Sequence, residues 1–296
     1  MSVVASLTCT PNRLGIVVAT LGALPRTSVG RDDLVELLSP RALQKGDTEG
    51  GTTIARGVLD EAQRLGLIVL DEGKYRLADD APAPGPELLA WLHERLVFPA
   101  RAQEVGQENF PRALSWFLMQ DPARPIAGSG SDPSERPRAR IAQEFGGDAG
   151  AFELTMDARV QNFAYWARYL GYTWFLELDS KTTFVPDPSA AIDRSITRHL
   201  QDGELLTIEQ LLAFLAEHLP VLEGGRARLE VEALLSVDRR PRVDQEGLSR
   251  STSLALNRLA ESGRLELRHE SDSRSVLLNL LGGARPLSHV LIRDTK

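Results

Sequence analysis

The sequence predicts a mainly α-helical chain with small β-hairpins, which is an α+β fold class. Two observations support this prediction. Apolar residues recur at helical spacing through short segments, and twice a helix is followed by a glycine and two short apolar runs around a polar turn. At 296 residues the chain is long enough for two or three small cores. A content of 42% hydrophobic and 25% charged residues excludes disordered and fibrous proteins.

The first 80 residues combine short helices with a closing hairpin. Three helices are predicted, and they run from Asn12 to Pro25, from Arg31 to Pro40 and from Thr52 to Leu65. Gly66 follows at the position where glycine commonly ends a helix. The apolar runs 67–70 and 74–77 flank a short Asp-Glu-Gly turn and predict two paired strands. Helix, helix, helix, hairpin is the order of a winged helix-turn-helix domain, which we assign to residues 1–80.

The last third of the chain, residues 201–296, repeats this order. Thr207 caps one helix, a second contains Val231, and a third spans 248–262 and is stopped by Gly263. Leu265 and Leu267 then alternate with polar residues, the segment 270–273 predicts a turn, and the apolar run 276–278 returns. The sequence therefore predicts a second winged helix-turn-helix domain here.

The middle domain, residues 81–200, is less regular and begins with the proline-rich segment APAPGP, a stiff linker. We expect mainly helices, including one over 157–170, and an exposed loop over 121–150 that is rich in proline, glycine and charge. A hairpin is expected around Asp179, Ser180 and Lys181. Two interpretations stay open: a third, degenerate winged-helix unit or a helical linker domain.

A winged helix meets duplex DNA by laying its last helix in the major groove while the hairpin contacts phosphate. Arginine can donate two hydrogen bonds to guanine, and an asparagine can do so to adenine. In the first domain the predicted DNA-binding residues are Thr52, Thr53 and Arg56 on the helix, with Lys74 and Arg76 on the hairpin. In the last domain, which we favour for DNA contact, they are Arg250, Ser253 and Asn257 on the helix, with Arg268 and Arg274 beside the hairpin.

The charge distribution argues against strong DNA binding. The chain carries 34 basic and 41 acidic residues, a net charge of −7. By segment the net charge is −2 over 1–80, −3 over 81–200 and −2 over 201–296, so no segment is basic. We therefore expect weak binding to double-stranded DNA by the chain alone, and protein docking competes with DNA as the role of each winged helix.

Signatures of catalysis are missing from the sequence. The five histidines show no metal-ligand spacing, and no glycine-rich phosphate loop of the P-loop type occurs. Cys9 is the single cysteine and has no partner in sequence that would activate it. We expect a chain without catalytic residues, metal site or cofactor. A lone cysteine and the absence of a long apolar run also favour a cytoplasmic protein with no membrane partner.

Several segments resemble the DpdG family. They are PNRLGIVVATLGALPR, RDDLVELLSPRAL and RLGLI near the start, and VQNFAYWARYLGYTWFLEL with FVPDPSAAI in the middle. DpdG proteins are encoded in bacterial gene clusters that place 7-deazaguanine derivatives in DNA and restrict DNA that lacks them. The resemblance covers nearly the whole chain and brings no catalytic residue with it. It implies an accessory protein of phage defence that works beside helicase, ATPase or nuclease subunits.

Two further function classes stay open. A transcriptional regulator could contain tandem winged helices, but the sequence shows neither a heptad run for dimerisation nor an effector motif. A condensin-like subunit could use winged helices for docking alone. Of these function classes, the sequence favours a non-catalytic DNA-binding or adaptor component of a DNA modification–restriction system.

Overall fold

The order helix, strand, helix, helix, strand, strand occurs twice along the chain, and its last third follows the same order with one additional helix and an inserted pair of strands. In all three regions the last strand lies in the centre of a small three-stranded antiparallel sheet, and the inserted pair forms a separate two-stranded sheet. This arrangement is seen in a computed structural model that describes residues 2–24, 28–43, 48–127, 136–178, 181–235 and 247–294. We call the three regions the first unit (2–77), the middle unit (86–186) and the third unit (189–292).

The first unit forms because each of its helices buries one apolar stripe. From α1 the buried residues include Leu14, Val17 and Val18, and from α3 they include Val58 and Leu59. The elements are α1 (Pro11–Ala23), β1 (Val29–Gly30), α2 (Arg31–Leu38), α3 (Thr48–Leu65), β2 (Ile68–Asp71) and β3 (Lys74–Leu77). The sheet order is β1-β3-β2.

The hairpin predicted for the first domain is confirmed. Asp71 pairs with Lys74, which leaves Glu72 and Gly73 as a two-residue loop. Both loop residues have positive φ, 46° for Glu72 and 76° for Gly73. That is the backbone geometry whose twist matches a tight antiparallel hairpin, and glycine adopts it without strain.

The middle unit contains more helix than the sequence predicts. Its elements are α4 (Pro86–Val97), α5 (Pro99–Glu104), α6 (Asn109–Leu118), β4 (Ile126–Ala127), α7 (Pro137–Phe145), α8 (Asp157–Tyr169), β5 (Thr173–Leu178) and β6 (Lys181–Pro186). The expected exposed loop over 121–150 is wrong where α7 lies, because Ile141 and Phe145 are buried. A 3-10 segment, Gly146–Phe152, continues from α7. The residues 128–135 of that loop lie outside the described residues.

The hairpin predicted in the middle domain is also confirmed. β5 pairs with β6 from Thr173 opposite Pro186 to Leu178 opposite Lys181. Asp179 and Ser180, expected at its turn, lie outside the described residues. β4 pairs with the other edge of β6, so the order β4-β6-β5 matches that of the first unit.

The third unit differs from the predicted hairpin in its strand pairing. Its elements are α9 (Ser189–His199), β7 (Leu205–Thr207), α10 (Ile208–His218), α11 (Arg226–Leu234), α12 (Arg250–Glu261), β8 (Leu265–Arg268), β9 (Val276–Leu280), β10 (Gly283–Leu287) and β11 (His289–Ile292). The expected pairing of β8 with β9 is wrong: β8 pairs with β11, and β9 pairs with β10. The reason is the apolar strand β11, whose Val290, Leu291 and Ile292 are buried beside β8.

Thr207 caps α10 as predicted. Its hydroxyl accepts from the backbone N–H of Gln210 at 3.3 Å, and the Gln210 side chain accepts from the Thr207 N–H at 2.8 Å. This reciprocal pair is a capping box, which satisfies two backbone donors at the start of the helix.

One apolar core runs through all three units, and the segment before α1 helps to join them. Val3 and Val4 are fully buried. Asn162 of α8 donates its side-chain amide to the carbonyls of Val3, Val4 and Ser6, the last at 3.1 Å. Because these backbone carbonyls are shielded from water, the amide of Asn162 holds the segment on the middle unit.

Gln107 completes this junction. Its side-chain oxygen accepts from the Val3 N–H at 2.7 Å, and its amide nitrogen donates to Glu61 of α3 at 2.9 Å. Burial raises the pKa of Glu61, while Arg64 and Gln107 oppose that shift. The first unit is therefore attached to the middle unit by a buried polar network as well as by apolar contact.

The helices within the described ranges are short. The helix α3 has 18 residues. Across those ranges no helix is both long enough and apolar enough to cross a lipid bilayer.

We expect Asn162→Ala to loosen residues 2–9 and to expose Cys9 to thiol reagents. Cys9 is buried, and burial followed by the Glu61 carboxylate raises the pKa of its thiol, so labelling requires opening of the segment. Leaving buried carbonyls without a donor costs about 2 kcal/mol, which raises the labelling rate about 30-fold. The rate is measured with a chromogenic disulfide under native conditions.

The matched control is Gln161→Ala, the adjacent and partly exposed residue of α8. Labelling of this variant should proceed at the wild-type rate. Rapid labelling of Cys9 in the wild-type protein would contradict the burial of the segment.

Candidate nucleic-acid interface

α3 presents a polar face to solvent in the first unit. Its apolar stripe, which includes Ala55, Val58 and Leu59, faces the core, so the residues between them point outward. Thr53 and Arg56 are exposed and Thr52 is partly exposed. Arg56 forms no ion pair with a carboxylate in the described part of the chain. The outward placement predicted for these three residues agrees with the structure.

The hairpin of the first unit carries one exposed cation and several acids. Lys74 is exposed at the end of the turn, next to Asp71 and Glu72, which are also exposed. Arg76 donates to the carboxylate of Asp79 at 2.7 Å. Lys74 can therefore reach a phosphate, whereas the charge of Arg76 is already compensated by a neighbouring carboxylate.

In the third unit the predicted cations also have acidic partners. Arg250 pairs with Asp121 at 2.5 Å, Arg268 with Glu266 at 2.8 Å, and Arg274 with Glu209 at 3.5 Å. The side-chain amide of Asn257 donates to Glu261 at 2.7 Å. Contact with DNA would have to compete with each of these interactions.

Ser253 does not face outward, and that part of the prediction is wrong. It is fully buried, and its hydroxyl accepts from the backbone N–H of Asn279 in β9 at 2.9 Å. Helical spacing placed it beside Arg250 and Asn257, but the inserted hairpin β9–β10 covers this side of α12. Because β8 does not pair with β9, Arg268 and Arg274 also do not flank one hairpin tip.

The first turn of α12 is buried against the middle unit. The Ser251 hydroxyl donates to the carbonyl of Leu118 at the end of α6. Further along the helix, Arg258 pairs with Asp187, which follows β6. A recognition helix must present its N-terminal part to base edges, and this part of α12 is occupied by protein contacts.

A buried carboxylate anchors the same turn. Glu223 accepts from the Ser249 N–H at 2.8 Å and from the Thr252 hydroxyl at 2.7 Å. Burial alone raises the pKa of Glu223, but Arg228 and these two hydrogen bonds outweigh it and hold the pKa below its ordinary value. The negative charge of Glu223 lies at the start of α12, where it interacts favourably with the positive end of the helix dipole.

Three of the five histidines are less isolated than their spacing in sequence indicates. The rings of His199 and His218 stack with centroids 4.0 Å apart. His93 is hydrogen-bonded to the hydroxyl of Tyr172 at 2.7 Å. The sequence offered no signal for this grouping, because α4, α9 and α10 meet through long-range packing. No group of three or more His, Cys, Asp or Glu among the described residues is arranged to hold a metal ion.

The fold and these faces define a class: α+β proteins built from small units of helices and an antiparallel sheet. A family model described as DpdG-like matches residues 1–273, and the chain belongs to this family. The resemblance noted in the sequence is thereby confirmed, and membership points to involvement in a 7-deazaguanine modification cluster. No curated protein and no solved structure matches the chain.

We expect Glu223→Gln to lower the free energy of unfolding by about 3 kcal/mol at neutral pH, because it removes one partner of a buried charged network. The pKa of Glu223 is lowered by folding, so its contribution is present above the ordinary carboxyl pKa and is lost as the pH falls through the folded value. Urea unfolding of both proteins at neutral and acidic pH measures the difference.

Glu230→Gln is the matched control, because Glu230 forms an exposed pair with Arg226 on α11. This variant should differ from the wild type by no more than about 0.5 kcal/mol. Equal destabilisation by both substitutions would contradict the anchoring role of Glu223.

Proposed function

We propose that this chain is a non-catalytic, DNA-contacting adaptor of a bacterial 7-deazaguanine DNA modification–restriction system that acts in phage defence. Membership of the DpdG-like family supports the system. The observation that carries DNA contact is the outward polar face of α3, where Arg56 is exposed without a carboxylate partner among the described residues. The adaptor acts in the cytoplasm.

We propose further that the units are winged helices. The supporting feature is their shared order of elements, together with a sheet in which the last strand lies between the first and the second. The middle unit shares this order, which favours a degenerate winged helix over a helical linker. In the first unit α3 occupies the place of the recognition helix, and the hairpin β2–β3 occupies that of the wing.

The described contacts favour the first unit over the third for DNA binding, which reverses the order of preference drawn from the sequence. In the third unit, Ser251 and Ser253 are buried and Arg250 is paired with Asp121. In the first unit, Arg56 of α3 and Lys74 of β3 are both exposed. With Asp71 and Glu72 beside Lys74, this contact should be weak without partners.

In the adaptor role, the surfaces outside the proposed DNA contact bind partner proteins. The helicase, ATPase or nuclease subunits of the system are the proposed partners. Exposed acids lie next to the cations of the first unit and weaken the attraction of this surface for phosphate. The surface would therefore bind DNA within a larger assembly, where partners supply additional positive charge.

DNA contact is tested with duplex DNA retention by the full chain at increasing salt. We expect Arg56→Ala with Lys74→Ala to abolish retention at low salt or to reduce the magnitude of the salt slope by about 2. The slope is the dependence of the logarithm of the binding constant on the logarithm of the salt concentration.

The control is Arg250→Ala with Arg268→Ala, which removes the same number of cations from the third unit. Its retention should match the wild type. Loss of retention in this control alone would move the DNA contact to the third unit, and no retention by any protein at low salt would favour pure docking.

The adaptor role is tested by capturing the tagged full chain from its native host. Co-purification of helicase, ATPase or nuclease subunits is the expected result. Recovery of the chain alone, bound to one promoter, would instead favour a transcriptional regulator with tandem winged helices.

A further inference from the structure

A cleft of about 510 Å³ lies where the helices of the middle unit meet those of the third. Its walls come from α4 and α5 on one side and from α9 and the end of α10 on the other. The lining includes the charged residues Glu94, Arg101, Arg194 and Arg198 and the histidines His93, His199 and His218. This volume falls within the range of small-molecule sites, which occur preferentially where structural units meet.

The cleft has an excess of positive charge. Its one lining carboxylate, Glu94, lies 3.6 Å from Arg101, which also pairs with Glu104 at 3.1 Å. Arg194 and Arg198 form no ion pair with a carboxylate in the described ranges. Arg194 donates instead to the backbone carbonyl of Leu170. Two guanidinium groups without an ion-paired carboxylate therefore line a concave site, where an anion would be held more strongly than on an open surface.

The two arginines are aimed at one region. They are four residues apart on α9, so their side chains leave the same face of the helix. Both guanidinium groups act on His93: burial first, then Arg194 and Arg198, lowers the pKa of this imidazole to about 3. The cations thus lie within electrostatic range of the same ring at neutral pH, and that ring is uncharged.

The remaining lining suits the flat part of a ligand. Phe98, Ala90 and Leu219 supply apolar surface, and the stacked rings of His199 and His218 supply a planar edge. His93 uses Nε2 for Tyr172 and has no partner for Nδ1 among the described residues. A ring nitrogen, two arginines and an apolar wall together match a molecule with a phosphate at one end and a planar ring system at the other.

We propose that this cleft binds a nucleoside phosphate, with the phosphate held between Arg194 and Arg198 and the base lying against Phe98 and the histidine pair. The site goes beyond the proposed DNA contact, which uses α3 and β3 of the first unit. Binding would place a small ligand between the middle and third units.

The test is equilibrium dialysis or calorimetry of the full chain with ATP, AMP and inorganic phosphate as probes. Saturable binding of ATP or AMP with one site per chain is the expected result, with inorganic phosphate weaker because it lacks the base. Arg198→Gln should weaken nucleotide binding about tenfold or more, since it removes a charge-assisted contact from an exposed position.

Arg226→Gln is the matched control, because Arg226 is an exposed arginine of the same unit outside the cleft. This variant should bind nucleotide as the wild type does. Arg198→Gln and the wild type should also unfold at the same denaturant concentration, which separates lost binding from lost folding.

Two outcomes would overturn the proposal: no saturable binding of either nucleotide by the wild type, or equal weakening by Arg198→Gln and Arg226→Gln. The DNA-retention variants Arg56→Ala and Lys74→Ala lie outside the cleft. Their nucleotide binding should be unchanged, so failure of one proposal leaves the other standing.

Discussion

The packing of α12 against the middle unit determines which side chains of this helix can reach a partner. Its first turn is fixed from three sides, by the buried Glu223 carboxylate, by the carbonyl at the end of α6 and by the hairpin β9–β10. The start of α12 is therefore fixed by protein contacts. The helix α3, which occupies the corresponding place in the first unit, instead presents a polar face to solvent. Two segments with similar sequence patterns therefore have different surroundings.

The spacing of residue types over a few positions predicts those helices, caps and turns that are fixed by contacts between residues close in sequence. In the helix predicted over 248–262, Thr252, Ala255, Leu256 and Leu259 recur at helical spacing, and all four are buried in α12. The cap at Thr207 and the tight turn before Lys74 follow from residue types at fixed spacing. These features can be inferred from sequence because the interactions that fix them span only a few residues.

Features that depend on distant partners could not be predicted in this way. The alternation of Leu265 and Leu267 suits any neighbouring strand, so it could not distinguish β11 from β9. Ser253 appears in sequence as a polar surface residue, whereas a backbone N–H from β9 makes its burial possible. The cleft histidines are contributed by α4, α9 and α10, and α4 is far from the other two helices in sequence.

Ion pairs within the described ranges involve most of the arginines that the sequence predicts to contact DNA. Five of the predicted DNA contacts have an acidic partner within the chain, namely Arg76, Arg250, Asn257, Arg268 and Arg274. Exposed pairs of this kind contribute little to stability, so a stronger anionic partner can displace them. The positive potential at the surface therefore depends on the arginines that have no carboxylate partner.

The junction between Asn162 and the segment before α1 has a consequence for synthesis on the ribosome. The carbonyl of Val3 and its donor, the side-chain amide of Asn162, are separated by 159 residues. At about 5–20 residues per second, Val3 waits roughly 8–30 s before α8 has been made. During that interval Val3 and Val4 have no middle unit on which to be buried, so the first unit must be completed by an element translated long after its own helices.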